Sequence, residues 1–306
     1  MSSQARLLLL CPGQGGQHAG MFDLAHSSAP AAALLERLSL TPDAQQDSYA
    51  NRHAQPLIVA ATLAMWTALR EHMPAPALIA GYSIGELAAY GVAGAYSAET
   101  AVALAVQRAA MMDEAASAMP DQTLLAISGM ALRRVLPLLP QYNYAIAIET
   151  GEDSCIAGGP ASHIDALAQT LMAHGGRSTR LPVAVASHTH WMQTAVAPFA
   201  ALLERTPFLP MQAPVLSGIS AITVRDQRSA VEQLSRQLAE TIHWSACMDA
   251  AAEAGISYAL ELGPGSALSR MLQQRHPHIR SRSVADFRTL DGILDWLDRA
   301  SSSAGH

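Results

Sequence analysis

The sequence predicts an α/β protein in which a doubly wound, mainly parallel sheet carries a small inserted unit. Three observations predict it. Short continuous apolar runs, Leu7–Cys11 and Leu78–Ala80, have the texture of strands buried on both faces. Helical stretches alternate with such runs along most of the 306 residues, the pattern of a sheet covered on both sides. Between residues 122 and 184 the texture changes to β-α-β-β-α-β, the order of a ferredoxin-like unit.

Taken in order, Leu7–Cys11 opens into the loop Pro12-Gly13-Gln14-Gly15-Gly16-Gln17. Residues 29–73 read as helices, clearest from Pro56 to His72, where Leu57, Ala60, Ala61, Ala64 and Ala68 recur at helical spacing. Leu78–Ala80 is the next strand. A helix from Ser97 to Ala118 starts with Ser97 as its cap, although Thr100 stands where a full capping box has Glu or Gln. In the inserted unit, strands are expected at Thr123–Ser128, Tyr144–Ile148, Ser154–Ala157 and Ser178–Val183, with helices at Leu132–Leu139 and Ala161–His174. Ala213–Ser217 and Ser257–Leu262 resume the buried-strand texture. Helices at Met192–Arg205, Ser229–Glu240, Trp244–Glu253 and Ser266–Arg275 cover that half, and Ser301–His306 reads as a frayed end. The expected division is therefore a discontinuous large domain, 1–121 with 185–306, and a small one, 122–184.

Composition excludes several classes of function. The net charge of −6 argues against a nucleic-acid partner, which wants a basic face. All 19 basic residues are arginine, so Schiff-base and P-loop lysine chemistry are absent. No apolar run approaches the roughly 20 residues that span a bilayer. Leu7–Cys11 is too short for the core of a signal peptide, so the expected setting is the cytoplasm, with no membrane partner. Cys11, Cys155 and Cys247 lie far apart and offer neither a disulfide framework nor metal-ligand spacing.

Gly81-Tyr82-Ser83-Ile84-Gly85-Glu86 lies where the run Leu78–Ala80 turns into a helical pattern, Leu87–Tyr90. A serine between two glycines at a strand-to-helix turn is either a packing turn or a nucleophile elbow. As an elbow it would hold Ser83 at the positive end of the following helix. A serine hydroxyl needs a base to take its proton. Of the twelve histidines, most fall in loops or bound polar helices. His188 ends the apolar segment Pro182–Ser187 just before a helix, at the edge of a sheet where α/β sites gather. It is a base or an ordinary strand-end histidine. Arg108, among Val106, Ala109, Met111 and Met112, either lies on the surface with its stem covering apolar neighbours or points inward. Inward, its fork would bind a carboxylate bidentately. A pocket holding Ser, His and Arg suits an acyl group that carries its own negative charge.

Together these segments resemble the malonyl-CoA:acyl carrier protein acyltransferase family. Pro12–Gln17 followed by Gly20-Met21 is similar to its P-G-Q-G-x-Q…G-M signature, and Gly81–Glu86 to G-H-S-x-G-E. Gln107–Met112 is similar to Q-R-G-x-x-M with Ala109 for glycine, and Val185–His188 to the strand delivering the family's histidine. Gln237-Leu238 resembles the segment whose glutamine carbonyl orients that histidine, and Glu261–Gly265 the late E-x-G-P-G turn. The motifs keep family order over nearly the whole chain. The resemblance implies a hydrolase-like parallel-sheet domain with an inserted ferredoxin-like one. It implies Ser83 as nucleophile, His188 as base, and Gln237 as the carbonyl that replaces a triad acid. It further implies an oxyanion hole of the Gln14 and Ile84 N–H groups, Arg108 on the malonyl carboxylate, and Met112 and Ser187 lining the pocket. Malonyl-CoA would be the substrate, a phosphopantetheine-type arm on an acyl carrier protein the acceptor, and no cofactor would be bound permanently.

Three departures bear on finer assignment. Glu240-Thr241-Ile242-His243-Trp244 replaces N-P-V-x-W, and Glu149-Thr150-Gly151-Glu152 replaces an asparagine-serine-proline loop, so the geometry around Gln237 is altered. Tyr82 replaces the elbow histidine, and G-Y-S-[IV]-G-E resembles the malonyltransferase (epsilon) subunit of malonate decarboxylase. That subunit charges a carrier subunit bearing a dephospho-CoA-derived group. The alternatives are a fatty-acid or polyketide synthesis transacylase, a serine hydrolase or thioesterase in which water deacylates Ser83, and a non-catalytic docking subunit. Ile84 resembles malonyl-selective members, while Ser187 leaves room for an α-methyl branch, a difference of about 1–3 kcal/mol.

Overall fold

In the computed structural model, which describes residues 5–41, 49–118 and 120–303, the run Leu7–Cys11 is strand β1, buried at every position. Leu78–Gly81 (β2) pairs with it in parallel. A second sheet follows in the chain, made of β3 (Gln122–Ser128), β4 (Ala145–Glu149), β5 (Ser154–Pro160) and β6 (Arg177–Arg180). The first sheet resumes with β7 (Val215–Leu216), β8 (Thr223–Val224), β9 (Tyr258–Glu261) and β10 (Arg280–Ser283). Its order is β10-β9-β1-β2-β7-β8, parallel throughout except for the β7–β8 edge pair. The small sheet has the order β4-β5-β3-β6, all antiparallel, the ferredoxin-like arrangement expected of a β-α-β-β-α-β unit. The fold is thus α/β with a parallel-sheet core and an inserted antiparallel sheet.

Register decides where chemistry can gather. Cys11 pairs with Gly81 and Leu10 with Glu261, so β1, β2 and β9 leave the sheet at one level. The loop after β1, the elbow after β2 and the Gly263-Pro264 turn after β9 therefore meet at the carboxyl edge. Their glycines are contact residues. A Cβ on Gly13 would stand 2.7 Å from the Tyr82 carbonyl oxygen, and one on Gly85 would overlap the Cys11 and Pro12 carbonyls.

Helices Asn51–Leu69, Ile84–Val92 and Ala98–Ser117 form the core layer behind this edge, where their apolar faces pack with β1 and β2. Ser97 caps the last of them, accepting from the Thr100 N–H at 3.1 Å. Several expectations need correction. Leu132–Leu139 is not one helix: a single turn, Leu132–Val135, gives way to a 3₁₀ turn at Leu139–Tyr142, because Pro137 and Pro140 lack the donors a helix needs. The strand expected at Ser178–Val183 ends at Arg180. The residues leading to His188 are irregular, since Pro182 has no N–H and Val183 N–H turns back to the Leu181 carbonyl. Residues 301–303 continue the final helix, Leu290–Ser303, rather than fraying, while residues 304–306 lie outside the described residues, as does part of the expected helical stretch, 42–48. No helix among the described residues is long and apolar enough to cross a membrane.

Hydrogen bonds on two sides tie the small sheet to segments of the large domain. Glu149 N–H donates to the Ile242 carbonyl at 2.8 Å and Ile242 N–H to the Ala147 carbonyl at 2.9 Å. On the other side Ala186 N–H donates to Gln122 Oε1 at 2.9 Å.

Candidate active site

Ser83 sits two residues beyond the end of β2, at φ 56° and ψ −118°, where a side chain is strained. The following helix begins at Ile84. Its N–H is one of the donors that a helix start leaves without an intrahelical acceptor. Gly13, the neighbour of Gln14 in the chain, packs on the elbow so closely that a Cβ there would stand 3.6 Å from Ser83 Cβ. The loops after two adjacent strands thus pack on one another at the elbow.

His188 comes to it from the other sheet's border. Ser83 Oγ and His188 Nε2 are 2.7 Å apart, and His188 Nδ1 is 2.6 Å from the Gln237 carbonyl oxygen. A carbonyl can only accept, so Nδ1 carries the proton and Nε2 is left to accept from the serine. His188 also holds a positive φ of 62°, with its own N–H anchored on the Leu238 carbonyl at 2.8 Å. Helix Gln227–Arg236 stops just before Gln237, which caps it. That end is what frees a carbonyl for the imidazole. Burial, followed by the charge of Arg108, pushes the His188 pKa down to about 3, against the pull of the Gln237 bond. The ring is a neutral base.

Arg108 points inward: it is 1 % exposed. Its guanidinium donates to Gln55 Oε1 at 2.7 Å and to Gln237 Oε1 at 3.1 Å. Desolvation lowers its pKa to about 10, so it stays charged at neutral pH. Gln237 bridges onward, its Nε2 donating to Glu86 Oε2 at 2.6 Å and to the Ser83 carbonyl at 3.3 Å. Glu86 Oε2 also accepts from Gly218 N–H at 2.9 Å. Ser83, His188, Gln237, Arg108 and Glu86 are therefore one hydrogen-bonded group, with Ile84 following Ser83 in the chain. Met112 is buried in it, its Sδ 3.5 Å from Gln55 Nε2. Ser187 is buried next to His188 in the chain.

Gln55 and Glu86 escaped the sequence reading. Both are fully buried polar residues in otherwise apolar helical faces. The only sequence signal was that position, a glutamine in the run Ala54–Ala61 and a glutamate inside the elbow motif. A cavity of about 380 Å³ is lined by His188, Thr189, Ile219, Thr241 and His243. A second, of about 730 Å³, reaches Asn51, one turn from Gln55, and Val185. Among the described residues no cluster of His, Cys, Asp and Glu has the makings of a metal site.

A parallel α/β sheet with a serine elbow, an inserted antiparallel sheet and a histidine held by a backbone carbonyl is the architecture of an acyltransferase. The acyl transferase domain family matches residues 8–287, and the chain belongs to that family. A malonyl CoA-acyl carrier protein transacylase of Mycobacterium tuberculosis is 30% identical over 303 residues, covering 94% of this chain and 99% of the relative. The crystal structure of a malonyl-CoA:acyl carrier protein transacylase from Helicobacter pylori superposes with a TM-score of 0.90 at 27% identity, covering 97% of this chain and 99% of the other. A malonyl-transacylase solved in complex with a type II polyketide synthase acyl-carrier protein has a TM-score of 0.86 at 23% identity, over 96% and 100% of the two chains.

Proposed function

We propose that the chain moves a malonyl group from malonyl-CoA to the prosthetic-group thiol of an acyl carrier protein, through an ester on Ser83. The observation that carries the reading is the unbroken relay from Ser83 Oγ through His188 to the Gln237 carbonyl, with Arg108 held by the same glutamine. His188 Nε2 takes the Ser83 proton as Oγ attacks the thioester carbon. The oxyanion so formed lies against the Gln14 and Ile84 N–H groups, donors placed for the tetrahedral state. The imidazolium and the oxyanion appear together, so the burial that depresses His188 alone does not oppose the neutral pair. When the C–S bond breaks, His188 returns the proton to the CoA sulfur, and malonyl-Ser83 remains. In the second half the carrier thiol gives its proton to His188, its sulfur attacks the ester, and Ser83 leaves with that proton. Arg108 binds the free malonyl carboxylate throughout, with Met112 and Ser187 beside the acyl chain. Residues 1–121 and 185–306 would be the body that carries these groups, and 122–184 the insertion closing over them.

Relatives named as malonyl CoA-acyl carrier protein transacylases support the reaction, and the carrier complex of a similar fold supports the partner. The malonate decarboxylase setting rests on Tyr82, whose ring packs edge-on against Trp244 at 5.3 Å. The test is mass spectrometry of the enzyme mixed with malonyl-CoA, with Ser83→Ala alongside. A malonyl ester on the Ser83 peptide is expected, stable until a carrier is added and absent from the variant. Release of free malonate without a carrier would make the protein a hydrolase, and an ester that survives Ser83→Ala would move the nucleophile elsewhere. Offering a fatty-acid-type carrier and one bearing a dephospho-CoA-derived group decides between the two settings.

A further inference from the structure

We infer that Glu86 is the proton acceptor that balances charge in the acyl site, taking a proton from solvent when the group on Ser83 brings its own carboxylate. It rests on the malonyl reading above and goes beyond it, because neither half-reaction uses Glu86.

Charge is balanced around Gln237, and one carboxylate oxygen is left over. Glu86 is 0 % exposed, in the first turn of the helix that starts at Ile84. Its Oε2 accepts two bonds, from Gln237 Nε2 and Gly218 N–H, whereas Oε1 is buried with no hydrogen-bond partner. The amide of Gln237 lies between Glu86 and Arg108, bonded to both. Before substrate binds, the guanidinium and the carboxylate therefore neutralise one another across one amide. A malonyl carboxylate on Arg108 adds a second negative charge to a space that water does not reach. Two carboxylates beside one cation in such a place cannot both stay ionised without a large cost, and the one without a direct cationic contact gives way. That one is Glu86, and its unpartnered Oε1 is where the proton would go.

The other groups facing Glu86 do not compete. Arg108 comes from helix Ala98–Ser117 and stays charged, and Gly218 offers only its N–H. From helix Trp244–Glu253 Cys247 faces it, and from its own helix Tyr90; burial pushes both up and keeps them neutral. His188, reached through Gln237, is held neutral by burial. Burial has already pushed Glu86 up to about 7, against the bonds from Gly218 and Gln237 and the charge of Arg108. The second carboxylate raises it well beyond about 8, so that Glu86 becomes fully protonated across the neutral range. Acyl transfer itself consumes no proton, since the one leaving Ser83 ends on the CoA thiol.

The experiment mixes the enzyme with malonyl-CoA or acetyl-CoA in weak buffer, reads proton uptake with an indicator dye, and counts ester on Ser83 by mass spectrometry. With malonyl-CoA, uptake of about 0.9 proton per ester is expected at pH 8 and about half a proton at pH 7, as a group titrating near 7 requires. With acetyl-CoA none is expected, and Glu86→Gln should abolish the malonyl-dependent uptake. The malonyl-over-acetyl preference of the wild type should also fall up to tenfold per pH unit above 7, and that of the variant should not. Malonyl ester formed with no more uptake than acetyl ester overturns the inference while leaving the transferase reading intact. Failure to form the malonyl ester overturns both.

Discussion

Replacing Arg108 by alanine separates substrate recognition from chemistry. In the resting site the guanidinium donates to Gln55 and Gln237 and is 1 % exposed, so a malonyl carboxylate meets a cation already stripped of water. Removing one partner of a buried charge pair costs about 3–5 kcal/mol, because the other charge is left desolvated and unpaired. At about 1.4 kcal/mol per tenfold, transfer from malonyl-CoA should fall by about 10²-fold to several thousandfold. A neutral acetyl donor makes no use of that charge. It feels only the loss of the Arg108 bond to the Gln237 side chain, while the Gln237 carbonyl that holds His188 is fixed by its helix end. Single-turnover ester formation on Ser83 from each donor, at matched thermal stability, gives the ratio directly. The malonyl-to-acetyl rate ratio should drop by about 10²-fold, the lower bound of the same range. An equal loss for both donors would refute the carboxylate role and leave Arg108 as a structural residue.

His188→Ala should slow acylation by about 10²- to 10⁴-fold, the usual worth of a positioned base, with circular dichroism unchanged; wild-type kinetics would remove it as base. Because its folded pKa is depressed to about 3, acylation should hold level from pH 7 to pH 5. An ordinary histidine base, titrating near 6.5, would lose about 30-fold over that span. The same shift carries a stability consequence: what neutral His188 contributes is fully present above about 6.5 and is lost as pH falls toward 3, because the unfolded chain binds a proton that the native ring refuses. Urea midpoints measured for wild type and His188→Ala should therefore converge or cross below pH 6, and parallel curves would contradict the buried neutral ring. Gly85→Ala puts a methyl into the Cys11 and Pro12 carbonyls and should cost at least about 3 kcal/mol; a variant with unaltered melting and activity would mean the elbow is looser than its contacts require.

How much of this could be read from the chain depends on the range of the interaction. The elbow was legible because its glycines answer a local steric demand, and β1, β2 and β9 because buried parallel strands are unbroken apolar runs. β10, Arg280-Ser281-Arg282-Ser283, carries no such signal: it lies at the edge of the sheet, with Ser281 and Ser283 buried and the arginines outward. The segment before His188 looked like a strand because it is apolar, yet Pro182 has no N–H and Val183 turns its own back to Leu181, which leaves it irregular. The depth of Arg108 was undecidable from its helix, whose apolar neighbours suit either orientation. Its acceptors, Gln55 and Gln237, lie 53 and 129 residues away. Glu86 stayed silent for the same reason: what makes it unusual is its burial beside groups from residues 218 and 237.

Glu149 and His243 stand in different departures from the family pattern, and in the fold they meet, His243 Nδ1 lying 2.7 Å from Glu149 Oε2. Both are partly exposed, so the pair is worth at most about 1 kcal/mol. The stronger tie is beneath it: Ile242 and β4 exchange backbone bonds at 2.8 and 2.9 Å, and Thr241 Oγ1 donates to the Ile146 carbonyl at 2.8 Å. Backbone bonds accept almost any side chain, so the Ile242 tie does not depend on which residues stand in place of the family ones. The Gln237 carbonyl is thus set from both sides, by the end of its helix and by a strand-like strap to the small sheet. His243→Ala should then leave acylation within a few-fold of wild type, whereas a proline at Ile242, which removes the donor to Ala147, should release the strap and weaken the hold on His188. Equal effects from the two changes would mean that the side-chain pair, rather than the backbone, fixes the base.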